Sequence, residues 1–299
     1  MNCKICFGGS VKKIWDSPIR HGGLDCYTKE PVAEYQCQDC GVIWHENVIP
    51  DIADYYESAE YRSSVSPGFG EKDYSRMGDK DDKGNKDKLF YTGTEIFENR
   101  IVSDLGCLAG AFLDCVRGAA KETVAIEPSE MGRKAMKDKG YEHIYAYAGD
   151  ALRDYKNRIE VLTSFDVIEH VEDPEAFLTD VYDLLAKNGQ AVIGTPTEAP
   201  VLRRLLGEAY EKQVLFSVQH IWVFSKESLE ILAKRIGFSK ITIKIFQMYG
   251  LDNLFGWLRD KKPNSAIGAE LLGENINSAW KSHCAETGIG DYMVMYLEK

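Results

Sequence analysis

From about Lys88 onward, short apolar runs alternate with amphipathic stretches, and this alternation constrains the fold more than any other feature of the chain. "RIVSDL" reads as a strand and "AGAFLDCVRGA" as the helix after it, then "TVAIEP" and "EMGRKAMKDKG" repeat the pair. "HIYAYA" is a weaker strand, and "VLTSFDVI" leads into a helix over "PEAFLTDVYDLLAKNG" with glycine as its stop. "QAVIGTP", "KITIKIFQMYG" and "DYMVMYLEK" supply the remaining strands, and a serine-capped helix, "SKESLEILAKRIGF", precedes the second of them. Strand–helix alternation buries parallel strands on both faces. The pattern predicts an α/β domain with a doubly wound, mostly parallel sheet of seven strands.

The first strand runs into "DLGCLAG", a glycine-spaced turn that opens a helix. A dinucleotide site needs a glycine at the middle position, so that a pyrophosphate can approach the backbone. Leu108 stands there instead. S-adenosylmethionine (SAM) has no pyrophosphate and does not impose that requirement, whereas Gly106 still serves the tight turn and Gly110 the close packing of helix on strand. Glu127 ends the second strand, where a carboxylate can accept from both ribose hydroxyls. A glycine loop followed by a distant acid is in itself a weak signal, shared by NAD and SAM sites. Asp150 after the third strand, the segment "SFDVIEHVEDPEAFL" after the fourth, and a terminal seventh strand break the tie.

With these residues in view, the chain from 88 to 299 resembles the class I SAM-dependent methyltransferases, whose sheet is Rossmann-like and seven-stranded. The resemblance places the glycine-loop motif on Asp104, Gly106 and Gly110, the ribose acid on Glu127 and the adenine acid on Asp150. It places the fourth-strand motif on Glu169, His170, Val171, Asp173 and Pro174, with Asp166 just ahead of it as a further cofactor contact. "QHIWVFSKESLEILAKRIGF" and "FQMYGLDNLFGWLRDKKP" resemble segments of methyltransferases that act on sugars and surface-polysaccharide precursors. The N-terminal segment is similar to that of nucleotide-sugar C-methyltransferases, although Gln219 precedes His220 where those enzymes carry Glu. The resemblance thus implies a small, sugar-derived acceptor.

That segment contains "CKIC" (Cys3, Cys6) and "CQDC" (Cys37, Cys40), two C-x2-C turns separated by a compact stretch. Such pairs converge four thiolates on one tetrahedral Zn²⁺. Residues 1–50 are therefore read as a structural zinc module, with His21, Cys26 and His45 as possible substitute ligands. Five basic and six acidic residues within 1–50 leave no positive footprint for phosphate. The whole chain carries a formal net charge of −11, which also argues against nucleic acid as a partner. No stretch approaches the ~18 apolar residues of a membrane span. "MNCKICFGGSVKK" has no apolar signal region, so a cytoplasmic enzyme is expected.

Residues 51–88 are read as a helix followed by a mobile linker or lid, because Glu71–Lys88 mixes six basic with six acidic residues. Residues 89–299 are then the catalytic domain. Methylating a hydroxyl, or a carbon beside a carbonyl, requires a base near the nucleophile, and histidine suits that task. His220 and His170 are the candidates, each with a structural alternative as a capping, core or backbone-bonded residue. Tyr55, Tyr56 and Tyr61 either pack as a stripe or wall the cleft, with one of the three, taken as Tyr56, touching ligand. Gln247 and Tyr249 leave the sixth strand toward the acceptor. An RNA methyltransferase, a non-catalytic SAM-binding scaffold or sensor, and a nicotinamide oxidoreductase are the competing functions.

Overall fold

The structure is a computed structural model that describes residues 1–57, 83–262 and 269–299. Tyr61 and positions 63–82 of the expected linker lie outside the described residues, and its last positions, 83–88, are helical. Seven strands form one sheet: β4 (Ile101–Leu105), β5 (Glu122–Ile126), β6 (His143–Tyr145), β7 (Ile159–Phe165), β8 (Leu185–Pro196), β10 (Lys240–Phe246) and β11 (Tyr292–Glu298). Their order across the sheet is β10-β11-β8-β7-β4-β5-β6. β4 pairs in parallel with β5 on one side and with β7 on the other, and β5 pairs in parallel with β6. The expected α/β fold is thus present. The chain winds outward from β4 and then returns to its opposite side, which opens a crevice at the carboxyl ends of β4 and β7.

Two compact units make up the chain. The larger one, residues 47–193, 232–242 and 295–299, holds the parallel strands and the helices that connect them. These helices include α1 (Ile52–Glu57), α2 (Lys83–Thr92), α3 (Ala111–Val116), α4 (Glu130–Asp138), α5 (Ala148–Tyr155) and α6 (Pro174–Leu184). Apolar side chains from β4, β5 and β7, among them Val102, Val124 and Leu162, are fully buried. Each such side chain contributes about 1.5–3 kcal/mol relative to its exposure. Asp173 caps α6 by accepting from the N–H groups of Glu175 and Ala176, and Pro174 fits the first helical turn. The helix stops at Leu184, not at the glycine expected to end it. Gly189 lies inside β8, where a Cβ would come within 2.9 Å of the Ile159 carbonyl oxygen, so its role is close strand approach.

The second unit comprises residues 1–46, 194–231 and 243–294. Strands β1 (Val11–Ser17), β2 (Val32–Cys37) and β3 (Ile43–Trp44) form an antiparallel sheet, and β9 (Trp222–Val223) completes it. Ile43 lies opposite Val223, and Trp44 opposite Trp222. One face supplies Val32 and Ile43 to a core with Phe216, Val223 and Trp257. On the other face Trp44 stacks on Trp222 at 6.5 Å between ring centroids. The N-terminal segment is too short to close a core of its own, so residues from near position 220 finish it. Helices α7 (Pro200–Leu206), α9 (Leu251–Asp260) and α10 (Ala269–Glu286) belong to this unit; α8 (Lys226–Ile236) begins in it and ends in the larger unit.

Candidate active site

At the carboxyl end of β4 the backbone turns sharply at Gly106, whose φ is +80°. A Cβ there would lie 2.3 Å from Val167 Cγ2, so both the turn and the packing require glycine. Leu108, two residues on, also takes the left-handed region, with φ +55°. That conformation costs a leucine about 1–2 kcal/mol and persists only when its surroundings impose it. Here the imposing group is Glu127, whose Oε2 accepts from the Leu108 N–H at 2.7 Å while Oε1 accepts from the Ser129 N–H at 2.9 Å. The ribose acid of the sequence reading is therefore a buried carboxylate held by two backbone donors. Gly110 ends the turn at the N-terminus of α3, with φ +74°. Gly132 was missed in the sequence, and it lets α4 approach the loop: a Cβ there would sit 2.8 Å from the Leu108 carbonyl oxygen.

A cavity of about 390 Å³ opens over this loop within the larger unit. Gly106, Leu108, Glu127, Asp166, Tyr56 and His170 contribute to its wall. Asp104, Gly110 and Asp150 are absent from that wall. Asp104 is buried beneath the loop, where it accepts from the Thr163 hydroxyl at 2.7 Å. Burial pushes its carboxyl up to about 6, and the nearby Lys88 ammonium opposes that shift. Lys88 itself lies 5.4 Å from the ring of Phe165 and 5.9 Å from that of Phe112. Asp150 stands in the first turn of α5, a helix the sequence reading did not foresee, with Arg153 3.6 Å away. The wall near it is made by Ala146, Tyr147 and Ala148.

Tyr56 and His170 face each other on the cavity wall. The Tyr56 hydroxyl is 3.1 Å from His170 Nδ1, and the two rings meet edge-to-face at 5.9 Å. On the other side of the imidazole, Nε2 is 4.0 Å from Oε1 of the buried Glu169. Tyr55 is a core residue packed edge-on against Tyr56, so of the two described tyrosines only Tyr56 reaches the cavity. Two wall residues had no clear signal in the sequence. Tyr147 donates to Glu57 at 2.6 Å, and Asp180 projects from α6 with its carboxyl pushed upward by burial.

The four cysteines of the N-terminal turns converge in the other unit. Cys3 and Cys40 sulfurs are 3.7 Å apart, and those of Cys6 and Cys37 3.5 Å. A tetrahedron with Zn–S bonds of ~2.3 Å has sulfur–sulfur edges of about 3.8 Å, so this set can hold one tetrahedral metal ion. The N–H groups of Ile5 and Cys6 point at Cys3 Sγ, at 3.3 and 3.4 Å, and support a thiolate there. The Ser225 hydroxyl, ahead of α8, donates to the Cys40 carbonyl and ties the second turn to the segment that carries β9.

His220 ends a tight turn in the same unit, its N–H donating to the Ser217 carbonyl at 3.1 Å. His45 is not among the converging cysteines. Its ring is fully buried, with Nδ1 2.7 Å from the Glu46 carbonyl oxygen and Nε2 3.1 Å from that of Ser217. Gln247 donates through Nε2 to Asp291 and to the Tyr249 carbonyl, and the Met248 N–H donates to the same carboxylate. Burial pushes Asp291 up to about 6. The small cavity beside Gln247 and Tyr249 measures about 10 Å³, room for about one water.

Comparison with known proteins adds the family. Residues 76–243 match the family model described as a methyltransferase domain. A phosphoethanolamine N-methyltransferase 2 of Haemonchus contortus, solved with phosphomonomethylethanolamine and S-adenosylhomocysteine, is similar at a TM-score of 0.50 and 12% identity, over 86% of this chain and 61% of that one. A SAM-dependent methyltransferase of Thermotoga maritima, described as a possible histamine N-methyltransferase, shares 21% identity over 72% of this chain and 89% of its own, at a TM-score of 0.48. No curated protein sequence matches the chain. The chain belongs to the methyltransferase-domain family and is a SAM-dependent methyltransferase of the class I fold.

Proposed function

We propose that the enzyme transfers a methyl group to a small sugar-derived acceptor, a sugar nucleotide or another surface-polysaccharide precursor, with a histidine as general base. The observation that carries the cofactor half of this reading is the charge on the cavity wall. Glu127, Asp166, Glu172, Asp173 and Asp180 line it, and among the described residues no Lys or Arg does. Such a wall attracts a cationic sulfonium and repels a pyrophosphate. SAM, when bound, supplies a methyl group activated for in-line displacement. Glu127 holds the ribose hydroxyls, Asp166 lines the same wall, and Gly106 and Gly110 shape the loop, with Asp104 buried beneath it.

His170, oriented by Tyr56, or His220, on its tight turn, takes the proton that the acceptor loses. Tyr56, on the cavity wall, contacts the acceptor. The four-cysteine cluster holds structural zinc that folds the N-terminal sheet. The negative chain and the balanced N-terminal segment support a small-molecule acceptor in the cytoplasm over nucleic acid. The test is transfer of label from methyl-labelled SAM into a panel of sugar nucleotides and lipid-linked sugar precursors. Label in one product, lost in His170→Ala or His220→Ala, supports the reading and identifies the base. Tight S-adenosylhomocysteine binding with no labelled product in the panel would overturn the acceptor assignment.

A further inference from the structure

The turn that carries His220 is held from both sides by residues of the N-terminal segment. On one side the Arg20 N–H donates to the Phe216 carbonyl at 3.1 Å, and Arg20 accepts from the Val218 N–H at 3.0 Å. On the other, the His45 N–H donates to the Ile221 carbonyl at 3.3 Å, just before Trp44 pairs with Trp222. The His45 ring then reaches the Ser217 carbonyl at 3.1 Å, and that oxygen already accepts the His220 N–H that closes the turn. A single oxygen thus joins the two histidines. Burial lowers the proton affinity of the His45 ring, whereas the carbonyls of Glu46, Ser217 and His220 raise it, with burial the larger effect. Two carbonyls face the ring but a neutral imidazole carries one N–H, so the Ser217 bond is made by the Nε2–H tautomer, in competition with the shorter Glu46 contact at Nδ1.

We propose that His45 is a positioning residue for methyl transfer, its ring fixing the Ser217 carbonyl and hence the turn that presents His220. The proposal rests on the reading of His220 as a base. Nothing in the "WHEN" sequence signals this role, because the partner carbonyl lies 172 positions away.

Two substitutions separate the ring's two ends. A glutamine amide reaches about as far as Nε2 and can donate to the Ser217 carbonyl. An asparagine amide reaches only to the Nδ1 position, keeping the Glu46 contact and losing the Ser217 one. The measurements, on zinc-loaded full-length protein, are amide hydrogen exchange across residues 217–222, S-adenosylhomocysteine affinity, and kcat and KM with the acceptor found by the labelling panel. In His45→Gln, exchange and kcat should stay near wild type. In His45→Asn, exchange of the turn should quicken about tenfold, the loss of one hydrogen bond. Its kcat should fall by a similar factor, with KM and S-adenosylhomocysteine affinity unchanged. Equal exchange in the two variants would overturn the clamp, whatever His220 does. Full activity in His220→Ala, with exchange still following the Gln/Asn difference, would overturn the base reading and with it the catalytic purpose of the clamp.

Discussion

Replacing Glu34 with glutamine should flatten the dependence of stability on pH. Glu34 lies on β2, opposite Trp15 and two residues from Val32, and only 2% of its surface is exposed. Its Oε1 has no hydrogen-bond partner. Burial raises its carboxyl from 4.5 to about 8. Below pH 4.5 the group is protonated in both folded and unfolded chains and has no effect on the balance. Between 4.5 and 8 the unfolded chain gives up the proton and the folded one keeps it, so stability falls as pH rises. Above 8 both states are ionised and the loss is complete. From pH 5 to pH 7.5 this amounts to about 3 kcal/mol, at 1.36 kcal/mol per unit. All five tryptophans lie in the unit that contains Glu34, so tryptophan fluorescence during urea unfolding reports on that unit. With zinc-saturated protein, the wild type should lose about 3 kcal/mol over this range relative to Glu34→Gln. Parallel curves for the two proteins would refute the reasoning, since a constant offset is what a change of packing alone would give.

Glu127→Ala should remove the carboxylate that pins Leu108 and Ser129 and weaken S-adenosylhomocysteine binding by about a hundredfold in calorimetric titration, near the upper range for hydrogen bonds to a charged group. Gly106→Ala should destabilise the larger unit by at least about 2 kcal/mol, read as a lower melting temperature. Val167→Ala in the same chain should recover the clash component but not the cost of positive φ. Treating zinc-loaded protein with a chelator at neutral pH should shift the tryptophan fluorescence toward that of unfolded chain, and added zinc should restore it. Burial pushes the Cys3 and Cys40 thiols upward, so without a metal ion they stay protonated and the cluster loses its centre. Lys88→Met should raise the Asp104 carboxyl further above 6, because the opposing ammonium is gone, visible as a shifted carboxyl titration in NMR.

The parallel sheet was legible because doubly covered strands must be apolar runs, and "IVSDL", "TVAI" and "VLTSF" have little else they can be. Cysteine spacing anticipated the convergence of the four sulfurs for a similar reason: two residues between thiols is a turn's length. Helix α5 escaped notice because Tyr147 at its cap offers no side-chain acceptor, so no local signal marks the start at Ala148. The end of α6 was misplaced because glycine is ambiguous: Gly189 serves strand contact, which a pattern of hydrophobicity does not encode. Leu108 betrayed its absent glycine but not its backbone, since the Glu127 carboxylate that accepts its N–H in the left-handed turn lies 19 positions later. The buried ring of His45 and the two-residue strand β9 depend on partners far along the chain, and no window of sequence contains both ends.

The pairing of Trp44 with Trp222 also sets a timetable for synthesis. The first strands leave the ribosome 178 residues before the strand that completes their sheet. At roughly 5–20 residues per second the wait lasts roughly 10–35 seconds. The four thiols emerge early and can capture a metal ion during that interval, while the edge at Ile43 stays uncovered until Val223 arrives. A nascent chain arrested before position 222 would therefore hold its four cysteines together with an exposed apolar strand edge, which makes it a substrate for chaperones.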